Sequence, residues 1–117
     1  MAARRAAFLF LISLAAQSAE NWKPVREATL RSLFVDKEYG DDAHFAYRFR
    51  PDGTFSGTEM GRDVRGAWRA TGREMCWKWI RPPGAEECYR VERDGAAVRL
   101  LKNGSEAWYG TLKTLPK

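Results

Sequence analysis

Beyond Tyr39-Gly40-Asp41-Asp42 the apolar residues of this chain recur at every second position and hold that period to the C-terminus. A period of two places alternate side chains on opposite faces of a strand, so most of the chain must be half-buried sheet. Phe45, Tyr47 and Phe49 alternate with His44, Ala46, Arg48 and Arg50, which predicts a strand with its aromatics inward. Pro51-Asp52-Gly53 then supplies a three-residue hairpin loop: proline fixes φ at the first corner and glycine accepts the left-handed conformation that ends the turn. That loop sets Phe49 opposite Phe55 on the inner face.

The same grammar repeats along the chain. Gly61-Arg62-Asp63 and Thr71-Gly72-Arg73 separate strands expected near 54–60, 64–70 and 74–81, and Arg81-Pro82-Pro83-Gly84 breaks the chain before a strand near 86–93. Asp94-Gly95 is a two-residue type I′ signal that pairs Val91 with Val98 and Tyr89 with Leu100, and Asn103-Gly104 is a second one, leading to a strand near 106–113. Around Trp108 the pattern is double: Ala107/Tyr109 and Trp108/Leu112 compete for the inward positions, and a bulge decides between them. Ahead of the strands, Pro24 is placed to open a short helix that runs to Phe34. The expected fold is mainly β, an antiparallel meander of seven to eight strands closed as a small up-and-down, lipocalin-like barrel with a short N-terminal helix. A two-layer sandwich and an open curled sheet plugged by the helix share this pattern.

Residues 1–19 read differently. Arg4 and Arg5 precede an apolar run from Ala6 to Ala16 and a small, polar exit at Gln17-Ser18-Ala19, the three-part layout of a secretory signal peptide. This run of eleven residues, Ser13 among them, falls short of the roughly 20 needed to cross a bilayer, so no retained membrane span is expected. The chain after cleavage is expected to start at Ala19 or Glu20 and to be periplasmic or secreted. Removing the leader lowers the net charge from +5 to +3, with 18 basic against 15 acidic residues, and leaves one domain over 20–117.

Cys76 and Cys88 are the only cysteines, and an even count in an exported chain predicts one disulfide. If Cys76 sits opposite Cys88, antiparallel register sets Lys78 opposite Glu86, gathers Trp77, Trp79, Tyr89 and Val91 on one face, and leaves the bridge on the outer face.

Residues that carry catalytic chemistry are sparse. The single histidine, His44, lies two and three residues from Asp42 and Asp41 in a charged turn, a pattern that fits a solvated turn better than a metal site or an acid–base pair. No serine occupies a GxSxG elbow, and Gly57, Gly61, Gly66 and Gly72 do not form a phosphate-cradling GxGxxG after a strand. Neither catalytic residues, metal nor cofactor is therefore expected, and the protein reads as non-enzymatic.

Binding is the better prospect. Phe45, Tyr47, Phe49, Trp68, Trp77, Trp79 and Tyr89 point inward on this pattern; they either fill the barrel or line a pocket for a small apolar ligand. The basic residues Arg48, Arg50, Arg62, Arg65, Arg69, Arg73, Lys78, Arg81, Arg90, Arg93 and Arg99 spread over many strands, a surface suited to an anionic envelope component and, in this compartment, not to nucleic acid. Arg81, Pro82, Pro83 and Gly84 form a rigid loop, braced by the disulfide, that suits entry into the cleft of a secreted hydrolase.

The stretch Phe49-Arg50-Pro51-Asp52-Gly53-Thr54-Phe55, with Gly66-Ala67-Trp68, Cys76-Trp77-Lys78-Trp79 and Cys88-Tyr89, resembles small exported β-rich proteins of alphaproteobacteria. Those proteins combine a signal peptide, a short helix, a DGT turn, a G-x-W strand and a Cys-Trp…Cys hairpin. The resemblance implies fold and export; its motifs are turn and core residues and imply no activity. The resulting functional expectation is an exported binding or accessory module of the bacterial envelope, with a hydrolase inhibitor and a structural envelope protein as the alternatives.

Overall fold

The computed structural model describes residues 21–116; the expected leader and its cleavage positions lie outside the described residues. In chain order the elements are β1 (Lys23–Val25), α1 (Glu27–Phe34), β2 (Lys37–Gly40), β3 (Phe45–Phe49), β4 (Thr54–Glu59), β5 (Arg62–Thr71), β6 (Glu74–Arg81), β7 (Glu87–Asp94), β8 (Ala97–Lys102) and β9 (Ser105–Thr114). Strands β2 to β9 pair each with the next, all antiparallel, and β2 pairs with β9 through Tyr39↔Leu112. This closes an eight-stranded up-and-down barrel. Closure removes the exposed edges that a seven-stranded meander would leave.

Two strands were not legible in the sequence. Strand β2 occupies the segment that reads as the boundary between helix and sheet, and its Tyr39 is fully buried, with the hydroxyl donating to the Val98 carbonyl (3.0 Å). Strand β1 holds Pro24, which does not open the helix; α1 begins at Glu27, with Arg26 as N-cap. A proline at a sheet edge needs no ladder donor, which makes β1 an admissible place for it. Strand β1 lies on β7 with Val25 opposite Val91, so Val25 enters the core.

The hairpins follow their turn residues, with two corrections. Arg50-N donates to Thr54 and Gly53 takes φ +89, so Phe49 faces Phe55 as its turn requires. Asn103 and Gly104 take φ +53 and +80. The β4–β5 turn, however, is Met60-Gly61 (φ +50 and +80), with Glu59 opposite Arg62, so Arg62 and Asp63 belong to β5. At the β7–β8 hairpin only Gly95 of the loop has positive φ, Asp94 pairs with Ala97, and Val91 faces Leu100 rather than Val98. The loop is Gly95-Ala96, a shift of one residue that keeps Val91, Val98 and Leu100 inward and so leaves the core unchanged.

Helix α1 plugs the barrel end that carries the β3–β4 and β5–β6 turns. Leu30, Leu33 and Phe34 are buried, and the Phe34 ring meets Tyr39, Phe49 and Trp68 at 6.1, 5.4 and 6.3 Å between centroids. Trp68 also fixes the turn at that end, donating from Nε1 to the Arg50 carbonyl (3.0 Å). The plug therefore couples the helix to the hairpin it covers.

Candidate functional site

All seven aromatic residues expected inside the barrel are there. Phe45, Tyr47, Phe49, Trp68, Trp77 and Tyr89 are buried, and Trp79 packs partly buried beside them. They form one continuous set of ring contacts: Trp77 reaches Tyr47 (5.5 Å), Trp79 (5.9 Å), Tyr89 (5.5 Å) and Trp108 (5.2 Å), mostly edge to face. An eight-stranded barrel is just wide enough for side chains to fill it, and these rings do so.

Trp108 was undecided in the sequence, and a bulge decides it. Leu100 pairs with Trp108 but Leu101 pairs with Glu106, so Ala107 is the extra residue. Trp108 thereby turns inward onto Phe45 and Tyr47 (5.0 and 5.8 Å), while Tyr109 turns outward and is 48% exposed. The Tyr47 phenol is buried without a hydrogen-bond partner, and burial, with the charge of Glu59 second, pushes its pKa up.

The disulfide joins Cys76 and Cys88, directly opposite each other on β6 and β7. Cys76 alternates with the inward Met75 and Trp77, which puts the bridge on the outer side of the sheet, although Cys76 itself is fully buried. Both sulfurs lie near Glu74, but the bridge consumes their thiolate ligand capacity.

The β6–β7 ladder ends at Trp77↔Glu87, so Lys78 does not gain Glu86 as a cross-strand partner. Glu86 turns instead to Arg69, which grips it through Nε and Nη2 at 2.9 and 2.8 Å; the hydrogen bond from Arg69 holds the Glu86 pKa down. The loop expected to meet a partner, Arg81-Pro82-Pro83-Gly84, is exposed along its length, with the Gly84 N–H donating to the Trp79 carbonyl (3.2 Å).

His44 sits in an exposed turn built by Asp41. One Asp41 carboxylate oxygen accepts from the backbone N–H groups of Ala43 (2.9 Å), His44 (2.6 Å) and Phe45 (3.2 Å), and the other meets the His44 ring at 2.7 Å. The backbone hydrogen bond from His44 foremost, then that from Ala43, pulls the Asp41 pKa far below the usual carboxylate range. Asp42 points elsewhere, to Lys113 (2.6 Å).

The arginines divide into two groups. Arg48 is paired with Glu38, Arg69 with Glu86 and Arg99 with Glu92, while Arg50 donates to Ser56 and Arg93 to the Gly95 carbonyl. Among the described residues Arg65, Arg73, Arg81 and Arg90 take part in no ion pair. Arg65 and Arg81 stand directly opposite each other: Gly66 pairs with Trp79 but Arg65 with Arg81, so Ile80 is an extra residue on β6. Without that bulge strict alternation would send Arg81 to the inner side with Trp79; with it, Arg81 joins Arg65 on the outer face. Both line a depression of about 440 Å³ with Arg48, over Ala46 and Gly57, and Glu38 and Asp63 supply its acids.

A second depression, of about 410 Å³, lies where β1 meets β7 and is lined by Arg26, Arg73, Arg90 and Arg99 together with Glu92. Arg26 carried no signal in the sequence, because it sits between a three-residue strand and the helix. Among the described residues no helix is long and apolar enough to cross a membrane. Compared with protein-family models, curated proteins and solved structures, the chain matches none.

Proposed function

We propose that this protein is a non-enzymatic binding module of the bacterial envelope, exported to the periplasm or beyond, whose partner is an anionic component met on the outer face of the barrel. One observation carries the reading: a bulge at Ile80 brings Arg81 face to face with Arg65. Like charges directly opposite in a sheet are destabilising, and among the described residues neither arginine makes an ion pair, the acids of the depression being Glu38, held by Arg48, and Asp63. An anionic group lying across β3, β5 and β6 would meet both guanidinium groups, with Arg48 beside them in the same depression. The filled interior supports the placement, since the rings that could have lined a pocket are packed on one another. Export rests on the leader pattern and is supported by the disulfide.

The test is retention of the exported protein on anionic and on neutral polysaccharide matrices at low and physiological salt. Retention on the anionic matrix alone, weakening with salt and falling at least fivefold in the Arg65→Gln/Arg81→Gln variant, supports the reading. Salt-independent retention, or equal retention of the variant, overturns it.

A second reading, inhibition of a secreted hydrolase, is favoured by the loop of residues 82–86. The Arg69–Glu86 pair, the Gly84–Trp79 hydrogen bond and the disulfide at its base hold this exposed segment in place. Pre-organisation of this kind lowers the ordering cost of docking into a cleft. Hydrolase assays with and without the protein, and with Pro82 and Pro83 replaced by Ala, decide it.

A further inference from the structure

We infer that the seam on β7 where β6 gives way to β1 is a binding site for a phosphate-type oxyanion, held by Arg26, Arg73 and Arg90. One edge of β7 is shared by two strands. Strand β6 covers it as far as Glu74↔Arg90, and β1 covers it from Val25↔Val91. Strand β6 begins there because the Gly72-Arg73 turn joins it to β5, with Thr71 opposite Glu74, and β1 ends there because β6 holds the edge: continuing β1 by one residue would set Arg26 opposite Arg90, where Glu74 already sits. Both chains therefore leave the sheet at this point, β1 through Arg26 into α1 and β6 back through Arg73 into the β5–β6 turn. The topology thus brings three arginines from three segments to one spot.

All three line the 410 Å³ depression, a volume within the usual range for small-ligand sites. Among the described residues none of them makes an ion pair or a side-chain hydrogen bond. Glu92 is the only acid in that lining, and it is already held by Arg99 through Nε and Nη2 at 2.8 and 2.6 Å. Glu74, across from Arg90, forms no ion pair with it. The lining thus holds three unpaired guanidinium groups against one acid that is already bound, with Glu74 outside it, and the three repel one another. Each also offers a planar fork of donors matched to phosphate oxygens. A tetrahedral dianion satisfies both conditions and would tie the N-terminal strand to the barrel wall. This site is independent of the Arg65/Arg81 face.

Thermal unfolding of the exported protein tests the inference, with inorganic phosphate, sulfate and dimethyl phosphate each compared with chloride at constant ionic strength. A ligand that binds only the folded state raises the midpoint, and millimolar phosphate is expected to raise it by about 5 °C. Dimethyl phosphate, a singly charged diester like a phospholipid backbone, is expected to do less than phosphate; an equal or larger shift assigns the site to diesters and overturns the dianion. The phosphate shift is expected to vanish in Arg73→Gln/Arg90→Gln and to persist in Arg65→Gln/Arg81→Gln, with circular dichroism confirming that both are folded. A shift is expected with sulfate as well as phosphate; absence of any shift with phosphate over chloride in the wild type, or its persistence in Arg73→Gln/Arg90→Gln, overturns the inference.

Discussion

Arg65 and Arg81 face each other across β5 and β6 because Ile80 is an extra residue between Trp79 and Arg81. Trp79 precedes the bulge and stays on the ring stack beside Phe55 (5.2 Å), while the bulge releases Arg81 to the outer face. Ile80, the extra residue, is left 58% exposed. Opposed like charges cost roughly 0.2–1 kcal/mol, so Arg81→Gln is expected to raise stability slightly, by under about 1 kcal/mol, while weakening retention on an anionic matrix. Urea unfolding and salt-dependent retention of the same variant check both signs.

The Cys76–Cys88 bridge closes a loop of sequence separation 12 and acts largely on the unfolded chain. Replacing both by Ser is expected to leave a folded barrel that is weaker by about 3 kcal/mol, lowering the thermal midpoint on the order of 10–20 °C. Circular dichroism melting of the variant measures this. Non-reducing mass spectrometry of the wild type is expected to find no free thiol.

Trp77 and Trp79 differ in what their loss costs. Trp77 is 1% exposed and touches Tyr47, Phe49, Phe55, Trp79, Tyr89 and Trp108, so Trp77→Ala is expected to cost about 3–5 kcal/mol. Trp79 is only partly buried at the end opposite the helix, and Trp79→Ala is expected to cost less. Denaturant unfolding of the two variants gives the order directly.

Gly66 lies opposite Phe55, whose ring covers it; a Cβ at Gly66 would come within 2.6 Å of that ring and also press on the Lys78 carbonyl. Backbone cannot yield there without disturbing the β5–β6 ladder. Gly66→Ala is expected to destabilise by about 1–3 kcal/mol, read from chemical denaturation.

Asp41 makes stability depend on acid. Its pKa in the folded protein is depressed, so the folded state favours the ionised form and the unfolded chain takes up the proton first, near the ordinary value of about 3.9. The stabilisation is therefore complete at neutral pH and is lost as pH falls from about 4 towards the depressed folded value. Asp41→Asn is expected to be less stable than wild type at pH 7, with the difference shrinking below pH 4. Parallel denaturation curves at pH 7 and pH 3 test the sign.

Local chemistry was readable wherever a few adjacent residues decide the outcome. Proline and glycine in Pro51-Asp52-Gly53 and the Asn103-Gly104 pair fixed their own turns. Alternation placed Phe45, Tyr47, Phe49, Trp77 and Trp79 inward, because one face of each strand has to leave water. The cysteine pairing followed from having two cysteines. The Asp94-Gly95 signal was read one residue early, since a turn with glycine at either loop position satisfies the same local rule.

The chain by itself thus determined the strands with strong alternation, most turns, the inward aromatics and the disulfide, all set by interactions between sequence neighbours or by the two-faced geometry of a strand. Only the tertiary structure decided the rest. The β2–β9 pairing closes the barrel across more than 70 residues, a contact with no local signature. Strand β1 is too short to show a period and exists because β7 offers it a free edge. The bulges at Ile80 and Ala107 depend on how neighbouring strands coil around the ring stack, and they settle the facing of Arg81 and Trp108. The meeting of Arg26, Arg73 and Arg90 comes from β1 stopping where β6, leaving its turn, already holds the edge of β7, which is a property of the assembled sheet and of no segment alone.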